Sequence, residues 1–439
     1  MSNNRGSKSL GLKELVAIAI GGMVGGGIFT ILGISVSLIG FLTPIAIAIG
    51  GAVAGLAAYS YVKLGLYYRD EGATYAFVKK TYPTAKFPAA VIGWLVIFGY
   101  ISTLAIYAYT FSSYAISGSE FANNLWARKG IALGVLALFT LINVWSVNGM
   151  GKIEDIMVYT KLIILTIISV VLIQHRNIDT QTFMHNMKAD FGTSNFMSIL
   201  IVASLTFVAY EGFQLVINAV NEMKKPEKDT PRAIYTAIAV VILLYVIIAI
   251  GALFAIPLDE MARDKEYALA AGAKNAIGSI GETMVIIGAI LATSSAISGT
   301  LFGSSRQMAE IAEDGFLPNK LATRKSNNIP AFAVISMAVM AAILIVAGGL
   351  RLLVEFGSIT FLVVSLLMAL INHQIRKKTK SSSFITILAI LGLAMGGVLI
   401  LYYEFTHKWE QMVAIIFVYI ALTIGAWLYS KKGKFMLKK

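Results

Sequence analysis

Three features of this sequence could do chemistry that an ordinary apolar helix has no use for. The first is Ala19-Ile20-Gly21-Gly22-Met23-Val24-Gly25-Gly26-Gly27-Ile28-Phe29, five glycines in seven residues inside an apolar run. Each glycine costs a helix interior about 1 kcal/mol relative to alanine. The cluster therefore marks an unwound segment or a place where another backbone comes very close. Close packing is the plain reading, because Gly21/Gly25 and Gly22/Gly26 both have GxxxG spacing. An unwound segment would instead present backbone N–H groups at the positive end of the following half-helix, which suits a carboxylate. Spacing alone does not choose between the two. A nucleotide loop is excluded, since the GxGxxG spacing is absent and no strand precedes the glycines.

The second feature is Phe207-Val208-Ala209-Tyr210-Glu211-Gly212-Phe213, an acid and a glycine near the middle of another apolar run. Glu211 can pair with a cationic side chain, take up a proton, or hydrogen-bond neighbouring backbone as a neutral carboxyl. The third is Lys161, eight residues into an apolar stretch and so roughly 12 Å deep at 1.5 Å per residue. An ionisable group at that depth must meet carbonyls, an acid or water, and is functional by default. The alternative is a permanently charged lysine that ties helices together and never titrates.

The elements that must position these residues follow from composition. Of 439 residues, 57% are apolar and 13% charged, and the mean hydropathy is +0.77. Soluble domains carry about 25% charged residues. The sequence is thus predicted to be an all-α polytopic membrane protein; a solvent-facing enzyme, a disordered chain, a coiled coil and a collagen-like chain are excluded. Apolar runs near 13–38, 43–66, 86–116, 130–147, 154–174, 197–221, 233–256, 282–311, 331–348, 351–372, 384–403 and 411–430 predict about 12 transmembrane helices. The segment 257–281 is too polar to span and reads as an outside loop holding a short amphipathic helix. All eight prolines lie at or outside the predicted span ends, so any mid-membrane break must come from glycine.

The absence of cysteine removes disulfides, thiolate catalysis and cysteine–metal clusters. His175, His185, His373 and His407 lack ligand spacing, so no metal site is expected, and no cofactor or ATP-binding motif is present. The net charge of +13 is explained by topology rather than by nucleic acid. Lys and Arg in loops on the side of the termini outnumber those opposite by 25 to nine. This split places both termini in the cytoplasm of a multi-pass protein, most simply in a plasma membrane. Residues 1–12 read as a cytoplasmic tail preceding a retained first helix, not as a signal peptide.

Spans 1 and 6 lie five apart and are both interrupted by glycine, the pattern that points to a midplane site in inverted-repeat transporters. At these residues the chain resembles the amino acid–polyamine–organocation (APC) superfamily of permeases. The span-1 stretch Ile20 to Phe29 is similar to the family's first-helix signature. Tyr210-Glu211-Gly212-Phe213, with Glu222-Met223-Lys224-Lys225-Pro226 and Thr230-Pro231-Arg232-Ala233-Ile234, resembles the second. Ser304-Ser305-Arg306 with Ala312-Glu313-Asp314-Gly315-Phe316-Leu317-Pro318, at the end of span 8, is a third match.

The resemblance implies a LeuT-type fold, with two inverted five-helix repeats followed by two peripheral helices and with helices 1 and 6 unwound at mid-membrane. Residues 13–375 would form the ten-helix core, 13–174 the first repeat and 197–372 the second. Residues 376–439 would form helices 11 and 12 with a basic cytoplasmic tail. It further implies that a substrate carboxylate sits on Gly25, Gly26 and Gly27. The α-amine would rest on carbonyls near Gly22 and Met23 and around Val208, Ala209 and Glu211. Apart from the resemblance, Trp94, Tyr100, Tyr107 and Phe207 are aromatics that could cap a substrate pocket, Phe207 first among them, with packing or lipid contact the plain reading of each. In sodium-independent, proton-coupled relatives a span-5 lysine stands where sodium binds in sodium-coupled ones. Lys161 would then touch span-1 carbonyls near Gly22 and span-8 hydroxyls, Thr293, Ser294 or Ser298.

The expectation is a non-enzymatic secondary transporter for amino acids, working by alternating access, proton-coupled through Lys161 or Glu211 and sodium-independent. Its partners would be the amino acid or amine substrate, the proton and the lipid bilayer, with no nucleic acid, in a monomer or homodimer. A polyamine or cationic amino acid carrier or exchanger with Glu211 as counter-ion is the nearest alternative. A non-transporting amino acid sensor is a further one.

Overall fold

A computed structural model describes residues 10–433 apart from 71, 118, 123, 146–149, 194, 221–222, 264–266, 325–328 and 432. The described chain is all-helical. In order the helices are α1 (Leu12–Met23), α2 (Gly26–Ile39), α3 (Thr43–Tyr68), α4 (Ala73–Thr81), α5 (Lys86–Ala115) and α6 (Leu125–Trp145). Then come α7 (Met150–Gln174), α8 (Thr180–Thr193), α9 (Phe196–Thr206), α10 (Leu215–Asn218), α11 (Pro226–Ala255) and α12 (Leu258–Arg263). The last are α13 (Ala268–Glu313), α14 (Ala331–Ala347), α15 (Leu350–Gln374), α16 (Arg376–Thr379), α17 (Ser383–His407) and α18 (Trp409–Ser430). Among the described residues the only β pairing is an isolated bridge between Leu10 and Met223.

The pairs α1–α2 and α9–α10 are single apolar runs cut in the middle; counting each pair once, the described residues hold apolar helices at all twelve positions the hydropathy predicts, with ten candidate spans long and apolar enough to cross a membrane and α14 a shorter apolar helix. Burial sorts them by position. The α5 segment is 83% buried, whereas α17 and α18 are 28% and 17% buried and turn Leu, Ile, Val and Phe side chains outward. In water such faces would drive association; in lipid they are the expected surface. The centre is built where α5, α13, α15, α3 and α11 pack around the two broken helices.

Turn chemistry explains the ends. Gly40, at φ 52°, terminates α2, and the carboxylate of Asp190 on α8 occupies the space a side chain there would need. The same carboxylate accepts the Phe41 backbone N–H at 2.8 Å, tying α8 across the connection between the first two spans. Asn195 caps α9 by accepting the Met197 N–H at 3.1 Å. Gly278, at φ 73°, breaks α13 into a short first piece and the eighth span. The 257–281 segment is thus more helical than a loop with one short helix: α12 and the first turns of α13 both lie in it. Pro231 also differs from expectation. It lies inside α11, because that helix begins at Pro226 rather than at the edge of the apolar run. Its place in the second turn still leaves the mid-membrane stretch free of proline.

At the end where α1 begins, α4 is clamped onto the end of α13. Lys79 Nζ lies 2.6 Å from Asp314 Oδ2, with side chains 6% and 1% exposed. The Tyr75 hydroxyl donates to the same carboxylate oxygen at 2.6 Å. Burial first and the charge of Asp314 second push the Tyr75 hydroxyl well above its ordinary range, which keeps it a donor. Gln307 Nε2 adds a bond to the Gly72 carbonyl at 3.1 Å, and Trp94 Nε1 one to the Phe316 carbonyl at 2.7 Å.

Two substitutions test this framework. Asp314→Ala removes the carboxylate that pairs with the buried Lys79 ammonium and is expected to cost about 3–5 kcal/mol, read as a lowered melting temperature of the purified protein. Gly212→Ala puts a Cβ 2.6 Å from the Met23 backbone nitrogen at a φ of +133°. With neither backbone free to retreat, about 3 kcal/mol or more is expected to be lost, again in thermal unfolding.

Candidate functional site

The break in span 1 is a problem of unsatisfied carbonyls. The last carbonyls of a helix have no intrahelical partners, and at mid-membrane no water is at hand to replace them. Here side chains from three other helices do so. Lys161 Nζ, on α7, donates to Val24 O at 2.6 Å and to Gly21 O at 3.3 Å. Tyr107 OH, on α5, donates to Gly22 O at 3.3 Å. Tyr245 OH, on α11, donates to Met23 O at 2.7 Å. Lys161 is fully buried and makes a further bond, at 2.6 Å, to Ser295 Oγ on α13.

Beyond the break α2 starts at Gly26 with Gly25 before it and no side-chain cap. The N–H groups of its first turn, Gly26 and Gly27 included, are the positive end of a helix dipole at the centre of the protein. The glycines themselves are packing contacts. A Cβ on Gly25 would stand 2.7 Å from Ala296 Cβ and 2.8 Å from the Tyr107 ring, one on Gly26 2.8 Å from Thr110 Oγ1, and one on Gly27 3.0 Å from Ala209 Cα. Packing and unwinding are therefore one feature: neighbours press on the glycines, and the break at Val24–Gly25 exposes backbone.

Span 6 breaks in register with it. After α9 the chain makes one 3₁₀ turn, Phe207–Tyr210, passes through extended Glu211, and turns at Gly212 before α10. Gly212 lies against Gly22 and Met23, so the two broken helices meet backbone to backbone. The Tyr245 hydroxyl reaches Ala209 O at 3.1 Å as well as Met23 O. One hydroxyl hydrogen serves two convergent carbonyls, one from each break. Glu211 is 2% exposed. Its Oε2 accepts from Gln214 Nε2, and Gln214 Oε1 accepts the Gly212 N–H at 3.1 Å. Glu211 Oε1 has no hydrogen-bond partner among the described residues, and Tyr61, Tyr100 and Tyr107 lie within its electrostatic reach.

The structure thus brings Gly22, Met23, Gly25, Gly26, Gly27, Val208, Ala209, Glu211 and Lys161 around one buried region, with Phe207 buried in the same 3₁₀ turn. The span-8 hydroxyl differs from expectation. Ser295 meets Lys161; Thr293 instead bonds the Ala289 and Ile290 carbonyls of its own helix, and Ser298 Oγ has no partner among the described residues. Each residue turns a helix by about 100°, so neighbouring hydroxyls face different ways. Tyr245, Ser295 and Gln214 are missed by the sequence reading, and Tyr107 enters it only as one aromatic among several. The usable signal is that a buried tyrosine must spend its hydroxyl on something; Tyr245 is alone in a long aliphatic run. Among the described residues, no group of three or more His, Cys, Asp or Glu is placed to hold a metal.

Comparison with known proteins agrees with this architecture. A family model described as amino acid permease matches residues 10–422. The chain is 30% identical to the inner membrane transport protein YbaT of Escherichia coli, over 94% of this chain and 94% of that protein. It is 28% identical to an uncharacterized protein of Methanocaldococcus jannaschii, over 98% of this chain and 97% of that one. It is 25% identical to the branched-chain amino acid permease BcaP of Bacillus subtilis, over 97% and 93%. A match over nearly the whole length, on a helical bundle with paired breaks at its centre, places the chain in the amino acid permease family of the APC superfamily, a polytopic membrane transporter and not an enzyme.

Proposed function

We propose that this protein is a proton-coupled, sodium-independent carrier of zwitterionic amino acids that works by alternating access. The observation that carries the reading is the Lys161 ammonium, which joins the Val24 carbonyl of the broken first span to Ser295 of α13. A cation held between a helix break and a neighbouring hydroxyl does the work of a bound metal ion there, and unlike sodium it can give up its charge by losing a proton. In the charged form it pins span 1 to the α13 wall. In the neutral form the charge-assisted bonds to Gly21, Val24 and Ser295 weaken, and α1 is free to swing.

The substrate's two charges have complementary places. The uncapped start of α2 at Gly25, Gly26 and Gly27 suits the carboxylate. Met23 O and Ala209 O, which already converge on one donor, suit an ammonium in the position of the Tyr245 hydroxyl. Glu211 supports a second reading. Its unpaired Oε1 is buried beside this region, and as a counter-ion it would select cationic amino acids or polyamines. The repeat division at 13–174 and 197–372 and the cytoplasmic placement of both termini in a plasma membrane belong to the same proposal. The paired breaks and the 25-to-nine bias of loop charge support them.

Lys161→Ala is expected to abolish uptake driven by a pH gradient in proteoliposomes; full coupled uptake in that variant would overturn the role given to the lysine. A thermal-shift screen with neutral amino acids, cationic amino acids and diamines separates the two substrate readings. A ligand at 100 times its Kd adds about 2.7 kcal/mol. Stabilisation by neutral amino acids is expected. Stabilisation by diamines alone would remove the need for a carboxylate subsite and make Glu211 the counter-ion.

A further inference from the structure

Away from the two breaks, a second cluster of ionisable groups is buried between α15 and α17. Glu355 is 1% exposed and Glu404 fully buried. Arg351 Nε donates to Glu355 Oε1 at 2.7 Å, and its Nη2 donates to the Tyr403 hydroxyl at 2.6 Å. The guanidinium is then committed to one oxygen of one acid. Glu355 Oε2 and both oxygens of Glu404 find no donor among the described residues, yet the two acids lie within interaction range across the packed α15–α17 seam, which Arg351 bridges by holding Glu355 and Tyr403, the neighbour of Glu404. Two ionised carboxylates in that position would repel, with three acceptor atoms buried and unsatisfied. A single proton between them turns the contact into a strong O–H···O⁻ bond and leaves one negative charge against one guanidinium.

We infer that Glu355 and Glu404 form a proton-binding site of their own, distinct from the Lys161 and Glu211 region, in which one proton is shared between the two carboxyl groups.

The charged and titratable groups around the pair are few. Arg351 comes from α15, Tyr403 and His407 from α17, and Lys408 from the connection that follows. Arg351 lies over the Tyr403 ring, and His407 stacks on the same ring at a centroid distance of 5.1 Å. From α18 come Gln411, whose Oε1 is also buried without a partner, and Glu410 at the exposed start of that helix. The neighbouring ends of α3, α5 and α9 contribute no Asp, Glu, Lys, Arg or His. Among the described residues, Arg351 and Lys408 are the cations that act on both carboxyl groups.

The position gives the site a consequence for the core. One turn along α15 from Glu355, Ser358 Oγ donates to the Leu205 carbonyl at 2.9 Å, and a Cβ on Gly357 would stand 3.1 Å from Val208. Both neighbours belong to the broken sixth span. With the proton present, α15 is held to the peripheral helix α17. With it gone, like charges push the two helices apart, on a helix that touches span 6 directly. Arg351, whose side chain is 27% exposed, joins the buried pair to the surface of the protein.

The test is infrared spectroscopy of the full-length protein in lipid. The Glu211→Gln protein is expected to retain a protonated-carboxyl C=O band that shifts in heavy water, and Glu404→Gln and Glu355→Gln are each expected to remove that same band. The glutamine amide supplies the missing donor, so both variants should keep the wild-type melting temperature. If neither variant can be recovered, the band is titrated in the Glu211→Gln protein, where it should vanish in a single one-proton step as pH rises. A band untouched by both substitutions, or no such band at all, would overturn the inference. So would stabilisation of the wild type by sodium or potassium at fixed pH that Glu404→Gln abolishes, which would mark a metal-cation site instead.

Discussion

Everything at the centre of this protein depends on one constraint: carbonyl groups freed by breaking a helix inside a membrane must still be given donors. A buried carbonyl without one costs about 1–3 kcal/mol, and span 1 frees a run of them between Gly21 and Val24. Three helices answer, α5 with Tyr107, α7 with Lys161 and α11 with Tyr245. The dependence is mutual. A lysine at mid-bilayer is expensive by about 2.5–3.5 kcal/mol on insertion scales, and it is tolerated because it lands on oxygens already short of donors. The break makes the lysine possible, and the lysine makes the break possible.

The second break is built on the first. Gly212 fits only because Gly22 and Met23 present bare backbone, and the Tyr245 hydroxyl has carbonyls from both breaks within reach but a single hydrogen to give. Any displacement of α1 therefore alters the hydrogen bonding of the sixth span without needing a long relay. At the end where α1 begins, the Leu10–Met223 bridge and the Lys224 N–H to Leu10 carbonyl bond at 3.0 Å tie the first span's entry to the sixth span's exit. The first half of span 1 and the second half of span 6 are thus fastened at both ends.

How far this was legible in the sequence depends on the kind of signal each residue sends. Glycine clusters and charges in apolar runs violate the local rule for a membrane helix, so Gly21 to Gly27, Lys161 and Glu211 announce themselves. The twelve spans follow from hydropathy for the same reason. Ser295 was hidden because a one-residue error in helix phase changes the face, and hydropathy carries no phase among Thr293, Ser294, Ser295 and Ser298. Tyr245 was hidden because tyrosine is unremarkable in a membrane helix until its hydroxyl's partner is known. Helices α4 and α8 escaped because short amphipathic helices at the membrane edge have neither the length nor the apolar content of a span. Pro231 sits inside a helix because α11 extends beyond the apolar run into polar turns that begin at Pro226, which puts this proline in the second turn, before the mid-membrane stretch.

Burial adds the last step. Lys161, Ser295 and Tyr245 are fully buried, Tyr107 is 4% exposed, and residues 19–29 and 207–214 are buried throughout. In this conformation neither an amino acid nor a water chain has access to the break. A proton leaving Lys161 in the proposed cycle must wait for the same separation of span 1 from α13 that admits substrate, because the lysine is itself one of the bonds holding that seam. Charge on the lysine favours the closed seam, and loss of charge weakens it. A substrate carboxylate at the start of α2 would restore positive charge to the lysine by attraction. In the proposed cycle, coupling between proton and substrate would need no separate device, because both would act on the bonds that Lys161 makes to Gly21, Val24 and Ser295.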